Sequence, residues 1–248
     1  MTLPQSPTDS ISILSRFRGR LPESIKQELE TRLIKEINRR TPIIPLGFQE
    51  KSYKIPPPLI GDLDIEKSIS SYEPFLIPTK TPILEVQDTT QPHICIGIDE
   101  SLSVSTHTKY LQYYICSLLL KSWKHLTILG YSTNYRVIGR SVSPISKNMK
   151  QLLDPPPPAY TNLSAPIRYV YRQKELKLAI FITEGSHNIG IPPKGILRKN
   201  IPIHIIDVHH DLQLRYISKY TNGLYFPIPK QALPQPFTIH RIIQSILT

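Results

Sequence analysis

The stretch HICIGIDESLSVS, residues 93–105, decides the fold of this chain. Ile94 to Ile98 is a short run with almost no polar group, which is typical of a strand buried on both faces of a parallel sheet. The run ends at Asp99, and hydroxyl side chains and then a helical pattern follow it. A carboxylate and several hydroxyls therefore leave the carboxyl end of a central strand, which is the edge where open α/β sheets bind ligands.

Downstream of this stretch, apolar runs alternate with helical patterns and short loops. Further strands are predicted at 126–131, 135–139, 176–183, 201–208 and 224–228, and helices at 105–123, 146–153, after 163 to about 173, at 212–220 and at 237–247. Such alternation indicates a doubly wound sheet. We predict an α/β domain over residues 93–248, Rossmann-like, with a mostly parallel six-stranded sheet and helices on both faces.

The first 92 residues have a different character and are predicted to form an N-terminal helix and a Pro-rich wrapping segment. Residues 1–20 are predicted to form a loose segment without regular structure. A helix is predicted from Pro22 to Arg40. Its apolar stripe consists of Ile25, Leu29, Leu33 and Ile37. We expect this stripe to pack on the α/β domain rather than on a partner protein.

Prolines punctuate residues 42–92 so closely that long helices and central strands are excluded there. We predict an extended segment that wraps the domain and leaves room for short edge strands near 75–77 and 83–86.

The two cysteines, Cys95 and Cys116, fall in apolar stretches and are predicted to be reduced core residues. No apolar stretch approaches the ~18 residues of a membrane span, and the N-terminus lacks the pattern of a signal peptide. The sequence therefore predicts a soluble cytoplasmic protein with no membrane partner.

The chain is basic, with a formal net charge of +11. The excess lies in residues 93–248, which hold 18 Lys and Arg against 7 Asp and Glu. The basic residues are scattered in pairs: Lys121 and Lys124, Arg168 and Arg172, Arg198 and Lys199. This scatter favours a solvated basic surface, while nucleic acid and an acidic protein partner both stay open.

The Asp-x-Ser-x-Ser spacing of Asp99, Ser101 and Ser103 resembles the first element of the metal-ion-dependent adhesion site (MIDAS) of von Willebrand factor A (vWA) domains. Thr161, in the sequence Tyr-Thr-Asn-Leu, is similar to the threonine loop of that family. Glu184, in Ile-Thr-Glu-Gly, stands where the family usually has Asp. The segments IPIHIIDV, LQLRYISKY and TNGLYFPI are similar to the far end of the family's fold.

This resemblance implies a Mg²⁺ or Mn²⁺ site that the hydroxyls of Ser101, Ser103 and Thr161 bind directly. Asp99 and Glu184 would act largely through water, and an open position would accept a carboxylate from a partner protein. Hard oxygen ligands of this kind suit Mg²⁺. The alternative is that Ser101 and Ser103 only cap the helix that follows them.

No complete catalytic set is recognisable, so a non-enzymatic binding module is predicted. By resemblance, intracellular vWA proteins often serve as adaptors of AAA+ ATPases of the MoxR or magnesium-chelatase type. This sequence has no ATPase motif, so the ATPase, or its acidic client, would be a separate chain. Two other functions stay open: a nucleic-acid-associated vWA protein that uses its basic surface, and an assembly component with a vestigial metal site.

Overall fold

The computed structural model describes residues 6–42, 62–63, 84–85, 92–123, 125–140, 145–155, 160–185, 187–229 and 236–247. The chain forms two compact units, residues 1–45 together with 92–248, and residues 46–91. In the smaller unit, strands β1 (Asp62–Leu63) and β2 (Leu84–Glu85) form an antiparallel pair. The edge strand predicted near 83–86 is thus reduced to two residues, and the one predicted near 75–77 lies outside the described residues.

The larger unit is built on a sheet with the strand order β5-β4-β3-β6-β7-β8. Its strands are β3 (His93–Asp99), β4 (Leu126–Tyr131), β5 (Tyr135–Arg140), β6 (Leu176–Thr183), β7 (Ile203–Asp207) and β8 (Tyr225–Pro227). All neighbours run parallel except β4 and β5, which form an antiparallel edge. The prediction of a mostly parallel, six-stranded, doubly wound sheet is therefore confirmed. Since the chain moves outward from β3 in both directions, the carboxyl end of β3 is the switch point of the topology.

Helices cover both faces of this sheet. They are α1 (Pro7–Phe17), α2 (Glu23–Arg40), α3 (Thr106–Ser122), α4 (Ile145–Leu153), α5 (Ser164–Arg172), α6 (Leu212–Tyr220) and α7 (Pro236–Leu247). One core cluster joins α5 and α6 to the sheet face that carries Cys95 and Phe181. Short 3-10 turns lie at Arg18–Arg20 and Pro193–Gly195. Within the described ranges, no helix combines the length and apolar character that a membrane crossing requires.

Residues Pro7–Phe17 form helix α1, so the expectation of a loose segment is wrong for this part of residues 1–20. Ser6 and Asp9 form a reciprocal cap, in which the Ser6 hydroxyl accepts from Asp9 N–H at 3.1 Å and donates to the Asp9 carboxylate at 2.6 Å. Ile11 and Leu14 are buried, and α1 packs on α2 and α3. Burial of these two side chains gives α1 tertiary contacts that a short isolated helix in water would lack.

The apolar stripe of α2 packs as predicted. Leu29, Leu33 and Ile37 are buried, Ile25 is half-buried, and α2 contacts α3 and α4. The stripe therefore belongs to the core of the larger unit.

Polar contacts fix the end of α2 on α3. The Thr41 and Ser117 hydroxyls lie 2.9 Å apart, and Lys121 Nζ donates to the carbonyl groups of Asn38 and Thr41 at 2.5 and 2.6 Å. A lysine that binds the last carbonyls of a helix also complements the helix dipole. Lys121 thus holds α2 in place rather than contributing to a solvated basic surface.

Both cysteines are buried and unpaired, as predicted. Burial raises the pKa of the Cys95 and Cys116 thiols well above the ordinary value. The two side chains act as small apolar core residues.

Candidate metal centre

Asp99 ends β3 with a carboxylate that is only 1% exposed. One oxygen accepts from Ser101 N–H at 2.9 Å and the other from the Thr183 hydroxyl at 2.6 Å. Burial raises the pKa of Asp99, although the hydrogen bonds from Ser101 and Thr183 oppose this rise. In the described part of the chain no cationic side chain forms an ion pair with Asp99. A bound cation would compensate the buried charge.

The hydroxyls of Ser101 and Ser103 lie 3.2 Å apart on the loop after β3. The hydroxyl of Thr161, on the loop before α5, is buried and has no hydrogen-bond partner among the described residues. A buried hydroxyl without a partner is destabilising and calls for a ligand or a bound water. Thr161 is therefore the clearest sign that this edge of the sheet binds something.

The oxygens of three predicted site residues surround one small space next to Gly185. A Cβ atom at Gly185 would lie 3.1 Å from Thr161 Oγ1, 3.2 Å from Ser103 Oγ and 3.5 Å from Asp99 Oδ2. Glycine leaves this space open, and any larger residue would occupy it. The loop after β3 and the loop before α5 thus bring carboxylate and hydroxyl oxygens together next to Gly185, and Ser101 lies beside them through its contact with Ser103.

Glu184 links the end of β6 to the start of α3. Its Oε2 accepts from Ser105 N–H at 2.5 Å, and the side chain is 3% exposed. A carboxylate in this position also stabilises the helix N-terminus. The helix cap is Ser105, whose hydroxyl accepts from Thr108 N–H. The alternative explanation, that Ser101 and Ser103 serve as the helix cap, is therefore wrong.

The loop at residues 187–188 holds the backbone around Thr161. Asn188 Oδ1 accepts from Thr161 N–H at 2.8 Å, and Asn188 N–H donates to Thr161 O at 3.0 Å. His187 Nδ1 accepts from Leu163 N–H at 3.1 Å. The sequence gives no sign of this supporting role of His187 and Asn188. Their side chains bond backbone groups 24–27 residues away, and such bonds leave no local pattern.

An ion pair between the buried carboxylate of Glu100 and the half-buried guanidinium of Arg136 lies beside the centre, and the sequence pattern did not indicate it. Both oxygens of Glu100 bond Arg136, at 2.6 and 3.1 Å, and Glu100 is only 8% exposed. A Cβ atom at Gly130 would clash with the Glu100 carboxylate, so the glycine makes room for this pair. Since Arg136 neutralises Glu100, this carboxylate is not needed in the ligand set.

The residues present fit a hard divalent cation. The space next to Gly185 is bordered by the Asp99 carboxylate and the hydroxyls of Ser103 and Thr161, and the Ser101 hydroxyl lies 3.2 Å from that of Ser103. Mg²⁺ prefers oxygen ligands and keeps several waters, so a few hydroxyls beside an acidic group suffice. The ion would be held by Ser101, Ser103 and Thr161, with Asp99 and Glu184 balancing its charge.

No protein-family model and no curated protein sequence matches this chain. Solved structures with a similar fold include an aerotolerance-related membrane protein from Bacteroides fragilis, with 12% identity and a TM-score of 0.46 over 62% of this chain and 98% of that one. The conserved hypothetical protein BatB from Bacteroides thetaiotaomicron has 15% identity and a TM-score of 0.47 over 62% and 96%. Proximal thread matrix protein 1 from the mussel byssus has 13% identity and a TM-score of 0.47; the match covers 63% of this chain and about half, 47%, of the mussel protein. At these identities the similarity concerns the fold alone.

Proposed function

We propose that residues 93–248 form a vWA domain that binds Mg²⁺, or Mn²⁺, and through the ion a carboxylate of a partner protein. The ion would lie at the carboxyl end of β3, held by the hydroxyls of Ser101, Ser103 and Thr161. The module would be non-enzymatic and would act in the cytoplasm.

One observation carries this proposal. The space next to Gly185 is bordered by oxygens of Asp99, Ser103 and Thr161, and the Thr161 hydroxyl has no hydrogen-bond partner among the described residues. The capping role that would otherwise explain the serines belongs to Ser105. A cation at this place would satisfy the Thr161 oxygen and offset the buried charge of Asp99.

The chemistry of the ion supports a carboxylate as the group that the partner contributes. Mg²⁺ seeks six oxygen ligands, and a carboxylate from another protein can replace one of its waters. We propose an acidic residue of a AAA+ ATPase of the MoxR type, or of that ATPase's client, as the sixth group. A vestigial site, in which this edge serves assembly without metal, is the competing function.

Calorimetric titration of the full chain with Mn²⁺ and Mg²⁺ tests the proposal. The wild type is expected to bind one ion, and the double variant Ser101→Ala/Ser103→Ala is expected to show no heat. Affinity capture with Mg²⁺ or with a chelator then tests the partner step, which should need the ion. Equal or absent heats in the wild type and the variant would support the vestigial site.

A further inference from the structure

Three basic residues that are scattered in the sequence meet in one cleft of the structure. Arg168 and Arg172 lie one helical turn apart on α5, and Arg198 lies on the loop between β6 and β7. The three residues line a cleft of about 390 Å³ together with Tyr171 and residues 195–197. We call this feature the arginine cleft.

Two contacts fix the backbone of the loop at Arg198. The Tyr171 hydroxyl donates to Arg198 O at 2.9 Å and lies 3.0 Å from Arg198 N, so one side chain of α5 grips the backbone of the loop at this residue. Leu197, the preceding residue, is buried in the core cluster and anchors the loop from below. The backbone of Arg198 is therefore held beside the two arginines of α5.

The charge of the cleft is uncompensated. Within the described residues, none of Arg168, Arg172 and Arg198 forms an ion pair with a carboxylate. The segments 164–173, 190–202 and 212–220, which form this side of the domain, hold seven Lys and Arg and no Asp or Glu. Like charges that gather without counter-charges destabilise a surface, so an anionic ligand would relieve the repulsion.

Aromatic rings lie next to this charge. Tyr216 and Tyr220 stand one turn apart on α6, with ring centroids 5.9 Å from each other and with 39% and 38% of their surfaces exposed. Lys194 Nζ lies 5.5 Å from the Tyr216 centroid and Lys199 Nζ lies 5.6 Å from the Tyr220 centroid. Basic groups beside exposed aromatic rings form the combination with which proteins hold single-stranded nucleic acid.

We propose that the arginine cleft and the neighbouring Tyr216 and Tyr220 bind single-stranded nucleic acid. The guanidinium groups would take the phosphates, since their planar forks match phosphate oxygens, and the tyrosine rings would stack on bases. An acidic protein is a poorer fit. The two exposed tyrosine rings offer flat faces on which bases can stack beside the guanidinium groups, and an acidic peptide would leave these faces without a partner.

This binding is separate from the metal centre. Helix α5 begins just after Thr161 and runs to Arg172, so that Arg172 lies roughly 12 Å further along the helix axis than its first residue. The cleft therefore lies toward the opposite edge of the sheet, and variants there leave the metal ligands in place.

Fluorescence anisotropy with the full chain and a labelled deoxythymidine oligomer of about 20 nucleotides tests the proposal, since single-strand sites span several nucleotides. The wild type is expected to bind at low salt, and Arg168→Ala/Arg172→Ala to weaken binding roughly tenfold or more. The slope of log affinity against log salt should fall by about 1.4 in magnitude, because each lost phosphate contact removes about 0.7. Tyr216→Ala/Tyr220→Ala should also weaken binding roughly tenfold, and the Phe replacements should not.

The matched control is Lys147→Ala/Lys150→Ala, which removes two exposed positive charges from α4. It should change the affinity by no more than about twofold, because screened distant charges contribute little. A wild type that fails to bind the oligomer at low salt would overturn the proposal, as would an equal loss in the control. Binding of a glutamate oligomer as tight as that of the nucleotide oligomer would also overturn it, in favour of an acidic protein segment.

Discussion

The Thr183 hydroxyl donates a hydrogen bond to the Asp99 carboxylate at 2.6 Å and so joins the carboxyl ends of the two central strands, β6 and β3. The same hydroxyl lies 3.1 Å from Gly185 O, which can also accept its proton. The Thr183 hydroxyl can therefore donate to Gly185 O instead when the side chain at residue 99 is itself a hydrogen-bond donor. This freedom allows the charge of Asp99 to be removed without leaving a buried donor unsatisfied.

We predict that Asp99→Asn keeps the fold and loses the metal. The Asn oxygen can accept from Ser101 N–H, and its amide can donate to Thr183, so the free energy of unfolding should change by only about 1 kcal/mol. Affinity for Mn²⁺ should fall at least roughly tenfold, because one negative charge leaves the surroundings of the ion. Calorimetry and thermal melting without metal measure the two quantities.

Asp207→Asn is the matched control for this variant. Asp207 ends β7 at the same edge of the sheet and is fully buried, but its oxygens accept from His209 N–H, Asp211 N–H and the Tyr225 hydroxyl. The change should lower stability and leave Mn²⁺ affinity intact. If both variants lose the ion equally, the location of the site at Asp99 is wrong.

A second prediction concerns Gly185. Gly185→Ala places a methyl group among the oxygens of Thr161, Ser103 and Asp99, and we expect Mn²⁺ binding to become undetectable by calorimetry. The melting temperature should drop only slightly, since the neighbours need to yield by only a few tenths of an ångström. Gly195→Ala, whose methyl group would meet nothing within 4 Å, should bind Mn²⁺ like the wild type. An unchanged affinity in Gly185→Ala would mean that the ion does not bind in the space next to Gly185.

The packing of α2 gives a third prediction. Leu33 is 1% exposed between α2 and its neighbours, so Leu33→Ala should lower the free energy of unfolding by about 3 kcal/mol through lost burial and a cavity. Ile25 is half-buried on the same stripe, and Ile25→Ala should cost about 1 kcal/mol or less. Urea unfolding of both variants measures the difference. Equal, small losses would mean that α2 is not part of the core in solution.

The fourth prediction is a dependence of stability on pH. His204 lies in β7, is 6% exposed, and uses Nδ1 to accept from Leu224 N–H at 3.2 Å. Burial lowers the pKa of His204 to about 4, whereas an unfolded histidine titrates near 6.5. The unfolded state therefore binds more protons as the pH falls below the unfolded pKa. Stability should drop by roughly 2–3 kcal/mol between about pH 7 and pH 4.

Urea unfolding at several pH values, with His204→Asn as the comparison, isolates this contribution. An Asn side chain can accept from Leu224 N–H but does not titrate, so the variant should lose less stability on acidification than the wild type by that amount. Parallel pH profiles for the two proteins would show that His204 plays no part in the acid sensitivity.

The strands could be predicted because burial on both faces leaves an unmistakable mark on composition. Ile94–Ile98 and Leu176–Thr183 are apolar runs of strand length, and both became central strands. The sequence signal for helix α1 is weak, because it consists only of a Ser6–Asp9 cap and two apolar residues whose partners lie on α2 and α3. Helices that depend on distant contacts carry weak local signals.

The site was only partly open to prediction from sequence. Resemblance named five residues, and the structure brings Asp99, Ser103 and Thr161 around one point. The resemblance gave no indication that Glu184 bonds Ser105, or that Asn188 supports Thr161, because these bonds join residues that are 79 and 27 positions apart in the sequence. The arginines of the cleft look like scattered surface charges in the sequence, because their approach in space depends on contacts between distant residues. Sequence order separates Arg172 from Arg198, and a single Tyr171 hydroxyl brings them together.

The bond between the Thr41 and Ser117 hydroxyls spans 76 residues and has a consequence for synthesis. On the ribosome, α2 is complete long before α3, the helix on which its end is fixed. At about 5–20 residues per second, translation of the intervening chain takes roughly 4–15 s. Throughout this interval α2 can pack on α1, which is made before it, but not on α3 or α4. The nascent chain thus passes through a stage at which the apolar side chains that α2 will turn toward α3 and α4 face water or a chaperone.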